Sequence, residues 1–413
     1  MPTTEHFIPF RASELIARLC RDPRIAEGDR AGLRAVSELV RALIHHDFHA
    51  RLERLKSLYA PFDPDRDTRP IDPPPASGID AVRAELLDDL SALLVRANYR
   101  RLDAEELNRA LAEESVFNVQ LHTQLDDFAE LVLFCRGITA LDEQRSAWFG
   151  LKKWTQRVDY FQRVAIYTRF KEREHFLAKG RKRLPFTAGS SILKLFQNIP
   201  RADLEMLFPN TDVRMKTGQK LLVGVPAIAG GVLVLVTKLG ASLVLVGVLI
   251  GWWIGLAKEE PPMEAKEITA LCLGLFALLG YLWRQFNAFK SRRARFLKTL
   301  TDSLYYKNLD NNAGVFNRVI DEAEEEEAKE AVLAYAFLHA SPKPLTAVEL
   351  DGAIEAWLRD DLKVECDFEI EDGLAKLEKL ALVERDGERL RAVPIAEARR
   401  RLDARWDGLY SAP

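Results

Sequence analysis

The sequence predicts an α+β membrane protein: an N-terminal helical and α+β cytoplasmic region, a transmembrane helical hairpin of two or three apolar segments, and a C-terminal helical and winged-helix-like domain. Three observations predict it. Residues 221–257 are apolar except for Lys238, and residues 268–283 carry no charge at all. A hydrocarbon core of about 30 Å takes roughly 20 apolar residues in a helix, so the first stretch is long enough for nearly two crossings. Basic residues also crowd both flanks: 152–183 hold eleven Lys and Arg against three acids, and Arg284, Lys290, Arg292, Arg293, Arg295 and Lys298 precede the next acid, Asp302. Loops rich in Lys and Arg stay cytoplasmic, so both flanks and both termini are expected there, with an even number of crossings.

The elements follow in order. With 413 residues the chain exceeds a single core and divides into several regions. Residues 1–78 form an N-terminal helical region, with apolar spacing at Leu33, Val36, Val40, Leu43, Leu52, Leu55 and Tyr59, closed by the Pro- and Asp-rich linker PFDPDRDTRPIDPPPASG. Residues 79–215 form an α+β cytoplasmic domain: the helical IDAVRAELLDDLSALLVRAN, then VFNVQLHTQ and AELVLFCRG as strands around LDDF, then VDYFQRVAIYTRFKE with Val164, Ile166 and Tyr167 in the core. Residues 216–290 are the membrane region, with apolar segments 221–257 and 268–286 joined by a polar loop. Lys238 is expected at the membrane interface, because a lysine at the bilayer centre costs about 2.5–3.5 kcal/mol; its alternative place is the lining of a pore. Residues 291–340 are an acidic helical region and 341–413 a winged-helix-like domain, two helices followed by a hairpin with Asp386-Gly387 at its tip. That fold often binds DNA. From Leu345 to Asp386, however, thirteen Asp and Glu face five Lys and Arg, the wrong sign for phosphates, so protein contact is expected and nucleic acid is not.

The runs LKLFQNIPRADLEMLFP, GYLWRQFNAFKSRR and LYYKNLDNNAGVFNRVIDEAEEEEAKEAVLAYAFL, with HARLERLKSLYAPFDPDRDT and LDDFAELVLFCRG, extend over most of the chain. In them the sequence resembles a bacterial member of the uncharacterised membrane-protein family that includes the eukaryotic transmembrane protein 143. The resemblance implies a membrane location, here the bacterial inner membrane. It implies no reaction, ligand or site residue.

Chemistry is therefore judged locally. The four cysteines, Cys20, Cys135, Cys272 and Cys366, are far apart and show no metal-ligand spacing. HHDFH places His45 and His49 one helical turn apart but lacks the glutamate of the zinc signature. Asp63, Asp65 and Asp67 have calcium-loop spacing, but Thr68 stands where the turn glycine should be and Pro74 where the bidentate glutamate should be. No P-loop, G-x-G-x-x-G or G-x-S-x-G occurs, and no cofactor is expected.

The remaining candidate is LDNNAGVFNRVIDEAEEEEAKEA, 309–331, with seven carboxylates from Asp321 to Glu330. At 100° per residue, Phe316, Val319, Ile320, Ala323, Ala331, Ala334, Phe337 and Leu338 share one face. Asp321, Glu322, Glu325, Arg318 and Lys329 point away from it, with Glu325 and Lys329 as an i,i+4 pair, and Glu324 and Glu326 lie at the edges. Glu327 and Glu330 fall inside the apolar stripe, where a carboxylate must be paired, protonated or bound to a cation. Pairing with a basic residue flanking the membrane is one reading; a metal or ligand site completed by Asp310, Asn311 and Asn312 is the other.

Three functions follow: a membrane-anchored scaffold with protein-interaction domains, an oligomeric channel or transporter in which Lys238 lines a pore, and a metal-dependent membrane-bound hydrolase using Glu327 and Glu330. The partners are accordingly the lipid bilayer, other proteins and copies of the chain.

Overall fold

The computed structural model describes residues 6–66, 71, 75–112, 120–147, 152–214, 250, 252–255 and 265–410. In chain order, α1 (Ala12–Leu19), α2 (Arg30–Tyr59) and α3 (Ile79–Arg96) precede β1 (Arg100–Arg101) and α4 (Ala104–Ala112). Then come β2 (Gln120–His122), β3 (Phe128–Ala147), β4 (Lys152–Phe170), α5 (Arg173–Ala178), β5 (Ser191–Pro200) and β6 (Asp212–Arg214). Helix α6 (Ala265–Lys307) runs into β7 (Asn308–Asn311) and α7 (Ala313–Ala340). The chain continues through α8 (Ala347–Leu362), α9 (Ile370–Lys379), β8 (Val383–Asp386), β9 (Arg389–Ala392) and α10 (Ile395–Asp407). These elements divide into two compact units, one of residues 1–111, 125–201 and 307–413, the other of 112–124 and 202–306.

The first unit is built on a five-stranded antiparallel sheet of order β1-β3-β4-β5-β7. The long β3/β4 hairpin sets its register, with Leu133 opposite Ile166 and Val132 opposite Tyr167. The β-branched and aromatic residues of AELVLFC and VAIYT suit a pleated, buried surface, and Leu133, Phe134, Val164, Ile166 and Tyr167 are buried. Leu90 and Leu94 of α3 pack on Phe134, Ala165 and Tyr167 from one side of the sheet. The periodicity of α2 is its inner face, since Leu33, Val36, Val40, Leu43, Leu55 and Tyr59 are all buried.

Helix α7 is the axis of this unit. Every residue from Glu326 to Leu338 is buried, so the helix has no wet side over more than three turns. Helices α1, α2, α3, α8 and α9 surround it. The fit against α9 is close enough that a Cβ on Gly373 would stand 3.0 Å from the Glu330 carbonyl oxygen. Helix α8 begins with a capping box in which Thr346 and Glu349 each hold the other's backbone N–H. The β8/β9 hairpin turns through Gly387 at φ +59°, and a backbone bridge between Leu345 and Leu390 adds a third short strand to it.

The second unit contains the β2/β6 pair, with Leu121 opposite Val213, and a 3-10 segment whose Leu204, Met206 and Leu207 are buried. It also holds α6. The predicted transmembrane hairpin, and with it the membrane part of the predicted fold, is overturned: among the described residues no helix is long and apolar enough to cross a membrane. Of the two apolar segments, 221–257 lies outside the described residues except for 250 and 252–255, and Lys238 with it. Segment 268–286 forms part of α6, but its uninterrupted apolar run, 268–283, is 16 residues. At about 1.5 Å per residue that run covers about 24 Å, less than a hydrocarbon core of about 30 Å. Lys266, Glu267 and Arg284 bound it within the same helix. The inner-membrane location read from the flanking charge loses its support together with the spans.

Candidate functional site

The acidic face of α7 is a set of six glutamates, each directed to a different partner. Glu322, nearest the sheet, accepts from Tyr99 Oη at 2.6 Å and lies 3.1 Å from Arg136 Nη2 of β3 and 3.3 Å from Arg163 Nε of β4. Arg136 is buried, stacks over the Phe7 and Tyr99 rings, and donates to the Ala97 carbonyl at 3.1 Å. Burial pushes the Tyr99 phenol well above its ordinary range, so it stays a donor to Glu322. Glu324 meets His45 of α2, whose Nδ1 is 3.0 Å from either carboxylate oxygen.

Glu325 accepts the backbone N–H of Ala12 at 2.9 Å. Arg11 precedes α1 without a side-chain cap, so a carboxylate from α7 takes that place at the positive end of the helix. Glu326 Oε1 accepts from Lys329 Nζ at 2.5 Å, and the same ammonium donates to the Ile8 carbonyl at 2.6 Å. Burial raises the Glu326 carboxyl above its usual range, with Lys329 opposing the rise. Glu327 accepts from Arg96 Nε of α3, whose guanidinium also lies over the Phe48 ring. Glu330 accepts from Lys376 Nζ of α9 at 2.6 Å. Desolvation pushes Glu330 up to about 8 although Lys376 pulls the other way.

Glu327 and Glu330 are thus both buried and both paired, but their partners come from α3 and α9, not from the basic stretches 152–183 or 284–298. Lys329, read as an exposed partner of Glu325, is buried and paired one residue along with Glu326. Glu326, read as an edge residue, is also buried, and only Asp321 and Arg318 are exposed as expected.

Asp310, Asn311 and Asn312 do not join this set. Asn312 lies fifteen residues before Glu327, or about 22 Å along the helix axis at 1.5 Å per residue. It is the joint between strand and helix, at φ +50° and buried. Its Oδ1 accepts from Tyr59 Oη at 2.9 Å and from the Leu193 N–H at 3.3 Å, and its Nδ2 donates to Asp65 at 2.7 Å. Asp310 Oδ1 accepts from the Asn311 N–H at 3.0 Å, and a Cβ at residue 314 would stand 2.0 Å from it, so a larger residue there would make the Asp310 carboxylate turn aside. Asn311 itself pairs with Lys194 of β5 and is exposed.

The histidine and aspartate motifs also hold elements together. In HHDFH, His45 faces Glu324, His46 meets the Tyr410 ring edge-on at 5.5 Å, and Asp47 pairs with Lys379 at 2.5 Å. Asp63 accepts from the Asp65 N–H, Asp65 holds Asn312, and Asp67 lies outside the described residues. Among the described residues no group of three or more His, Cys, Asp or Glu is placed to hold a metal ion. The buried Cys135 and Cys366 thiols are pushed up by desolvation, to about 11 and about 12, and so resist forming the nucleophilic thiolate. Among the described residues the α7 network carries ion pairs and caps.

Comparison with known proteins places part of this structure. Residues 161–314 match the family model DUF3754, described as a protein of unknown function. No solved structure matches the chain. The matched segment covers less than half of the chain, from Phe161 in β4 to Gly314 at the start of α7. It takes in the Asn312 joint and ends before the glutamates of α7.

One acidic group differs from those on α7. Asp351 of α8 stands beside Glu355 and Asp367, and its Oδ1 is buried without a hydrogen-bond partner. Partial burial, and then the two like charges, push its carboxyl up to about 6. The outer face of α9 adds exposed Glu371, Asp372 and Glu378. Sequence counting found the acidic excess but not this crowding, because the 366–368 segment reaches α8 only through the fold; there the Phe368 N–H donates to Glu355 at 3.1 Å.

Proposed function

We propose that the protein is a non-catalytic interaction scaffold, that its α8–α9–hairpin end is winged-helix-like, and that it docks a basic protein surface on the outer face of α8 and α9. The observation that carries this reading is the crowding of Asp351 by the like charges of Glu355 and Asp367, with no cation offsetting them. Such a group gains most from a lysine or arginine brought by a partner. A nucleic acid is the wrong partner, because Glu371 and Asp372 would face its phosphates, and Glu378 already holds Arg385. The inner face of α9 is already occupied by α7, and the exposed Lys379 pairs with Asp47 of α2. The α7 network supports a structural role for the other acids, since each neutralises or caps an element of the same unit. The long motifs quoted from the sequence support a further proposal, that the chain is a bacterial relative of the family containing the eukaryotic transmembrane protein 143; the membrane location of that family does not come with it.

The test compares proteins co-purifying with the full chain and with an Asp351→Asn/Glu371→Gln/Asp372→Asn variant, at low and high salt. The scaffold reading expects a basic partner held by the wild type at low salt, released by salt and absent from the variant. An unchanged partner set, or no partner under any condition, contradicts it.

A further inference from the structure

Between β4 and β5 the chain leaves the sheet as a loop, 171–190, that carries the short helix α5. From Lys171 to Arg183 it holds six Lys and Arg against Glu172 and Glu174. Two of the six serve the fold itself. Arg181 donates to the buried Asp127 at 2.5 Å, and Lys179 lies 3.3 Å from Asp127 and 3.4 Å from the exposed Asp126. Arg173, Lys182 and Arg183 are exposed, and their side chains make no ion pair or hydrogen bond among the described residues. The loop is pinned by aromatic contacts: the Phe186 ring stacks on Phe170 at 3.7 Å and meets Phe176 edge-on at 5.4 Å, and the Arg181 guanidinium lies 5.5 Å over Phe176. A pinned loop spares a partner the cost of ordering it.

The opposite sign gathers on α8 and α9. Basic residues of these helices are turned elsewhere, Lys376 to Glu330, Lys379 to Asp47 and Arg359 to Asp360. His6 lies 3.7 Å from Asp367 and 3.6 Å from Glu369, and Asp351, Glu371 and Asp372 make no ion pair among the described residues. The two surfaces belong to different ends of α7. The loop rejoins the sheet at Ser191, two residues before Leu193, whose carbonyl accepts the Asn312 N–H at 2.6 Å where α7 begins. Helix α9 meets α7 through Gly373 at Glu330 and Ala334, and α8 meets it at Phe337, whose ring is 5.8 Å from that of Trp357. From Asn312 to Glu330 is eighteen residues, about 27 Å along the axis at 1.5 Å per residue.

We propose that the basic surface docked on α8 and α9 is the 171–183 loop of a second copy of this chain, with Arg173, Lys182 and Arg183 of one molecule set against Asp351, Glu371 and Asp372 of the next. This rests on the scaffold reading and names its partner. Charge complementarity carries it, because exposed cations without a partner on a pinned loop match acids without a partner on the helices. The separation along α7 keeps one molecule from closing the contact on itself. Since the two surfaces differ, the contact is heterologous and builds head-to-tail chains or rings, not a twofold dimer. Exposed ion pairs are weak singly, so the association is reversible and screened by salt.

The experiment is sedimentation of the purified full chain, with no other protein present, over a concentration series at low and high salt. The wild type is expected to form species that grow with concentration at low salt and return to monomer at high salt. Two variants each remove one side: Arg173→Gln/Lys182→Gln/Arg183→Gln on the loop, and Asp351→Asn/Glu371→Gln/Asp372→Asn on the helices. Each alone is expected to associate about tenfold more weakly or less, from three exposed charge contacts worth a few-fold each. Mixed in equal amounts, they are expected to form one-to-one pairs and nothing larger, because each pair keeps one intact surface of each kind. All the altered side chains but Asp351 are exposed, so unchanged thermal unfolding is expected to show that both variants fold. In co-purification the partner then appears as the untagged chain. A wild type that is monomeric at every concentration, association that salt does not weaken, or mixed variants that stay apart overturns the second-copy partner and leaves the basic-partner reading to its own co-purification test. Association lost in the helix variant but kept in the loop variant overturns the loop alone, and association kept in the helix variant counts against both readings.

Discussion

Replacing Lys376 by methionine removes the partner of Glu330 while keeping most of the side-chain volume. Glu330 is buried, its carboxyl is held near 8 by desolvation, and Lys376 Nζ lies 2.6 Å away. In the unfolded chain the same carboxyl titrates near 4.5, so between that value and about 8 the folded protein holds a proton that the unfolded chain has released. Stability from this group is therefore complete below pH 4.5 and is lost as pH rises through about 8. At pH 6 Glu330 is protonated with or without Lys376, and the substitution costs only the hydrogen bond, about 1 kcal/mol. At pH 9 the wild type is ionised and paired, whereas the variant must keep the carboxyl neutral, at about 1.4 kcal/mol for each pH unit above 8. The loss then grows to about 2–3 kcal/mol, approaching the 3–5 kcal/mol typical of a broken buried pair. Urea unfolding of wild type, Lys376→Met and Lys376→Met/Glu330→Gln at pH 6, 7.5 and 9 measures it. The double variant should show no growth with pH. A penalty for Lys376→Met that is the same at pH 6 and 9, or below about 0.5 kcal/mol throughout, refutes the reasoning.

Other expectations come from the same packing. Arg96→Met leaves Glu327 buried without its cation and should cost about 3–5 kcal/mol in urea unfolding. Asn312→Ala orphans the Leu193 N–H and leaves the Tyr59 hydroxyl only the Ser191 carbonyl at 3.5 Å, and should cost about 1–3 kcal/mol, read by thermal unfolding. Gly373→Ala places a methyl 3.0 Å from the Glu330 carbonyl oxygen and should lower stability by about 1–3 kcal/mol through overpacking, although alanine is the better helix former. Docking of a basic partner on α8 should weaken as pH falls through about 6, where Asp351 takes up its proton, and Asp351→Asn should abolish that dependence in a pull-down series.

Much of the first unit was legible. The strand patterns of AELVLFCRG and VDYFQRVAIYTRFKE fall in β3 and β4, and the 3.6-residue spacing of Leu33, Val36, Val40 and Leu43 marks the inner face of α2. The strands expected around LDDF, however, do not pair with each other, since Gln120–His122 pairs with β6 and β3 pairs with β4. The wheel also found the apolar face of α7 from Phe316 to Leu338 and the inward aim of Glu327 and Glu330. Glu322 and Glu325 escaped the helical projection because they turn to Arg136 and Arg163 and to the Ala12 N–H, which only the fold brings near. Glu326 and Lys329 escaped it because it assumes one wet side. Helix α7 has none over Glu326–Leu338, so its polar residues meet ion partners instead of water. Those partners, Arg96, Arg136 and Lys376, lie at sequence separations that no local pattern encodes. The membrane reading failed for a different reason. Among the described residues the 268–283 run in α6 is too short to span, with charge at both ends of it, and the longer run 221–257 lies outside the described residues except for 250 and 252–255.

The buried carboxylates of α7 are held by the fold's own cations, Glu327 by Arg96 and Glu330 by Lys376. A double-mutant cycle on Arg96→Met and Glu327→Gln, measured by urea unfolding with and without added zinc or calcium, tests this most directly. A coupling energy of about 1–3 kcal/mol, unchanged by either ion, is the predicted result. A coupling near zero, or a wild-type stability that rises with metal while that of Glu327→Gln does not, would contradict it.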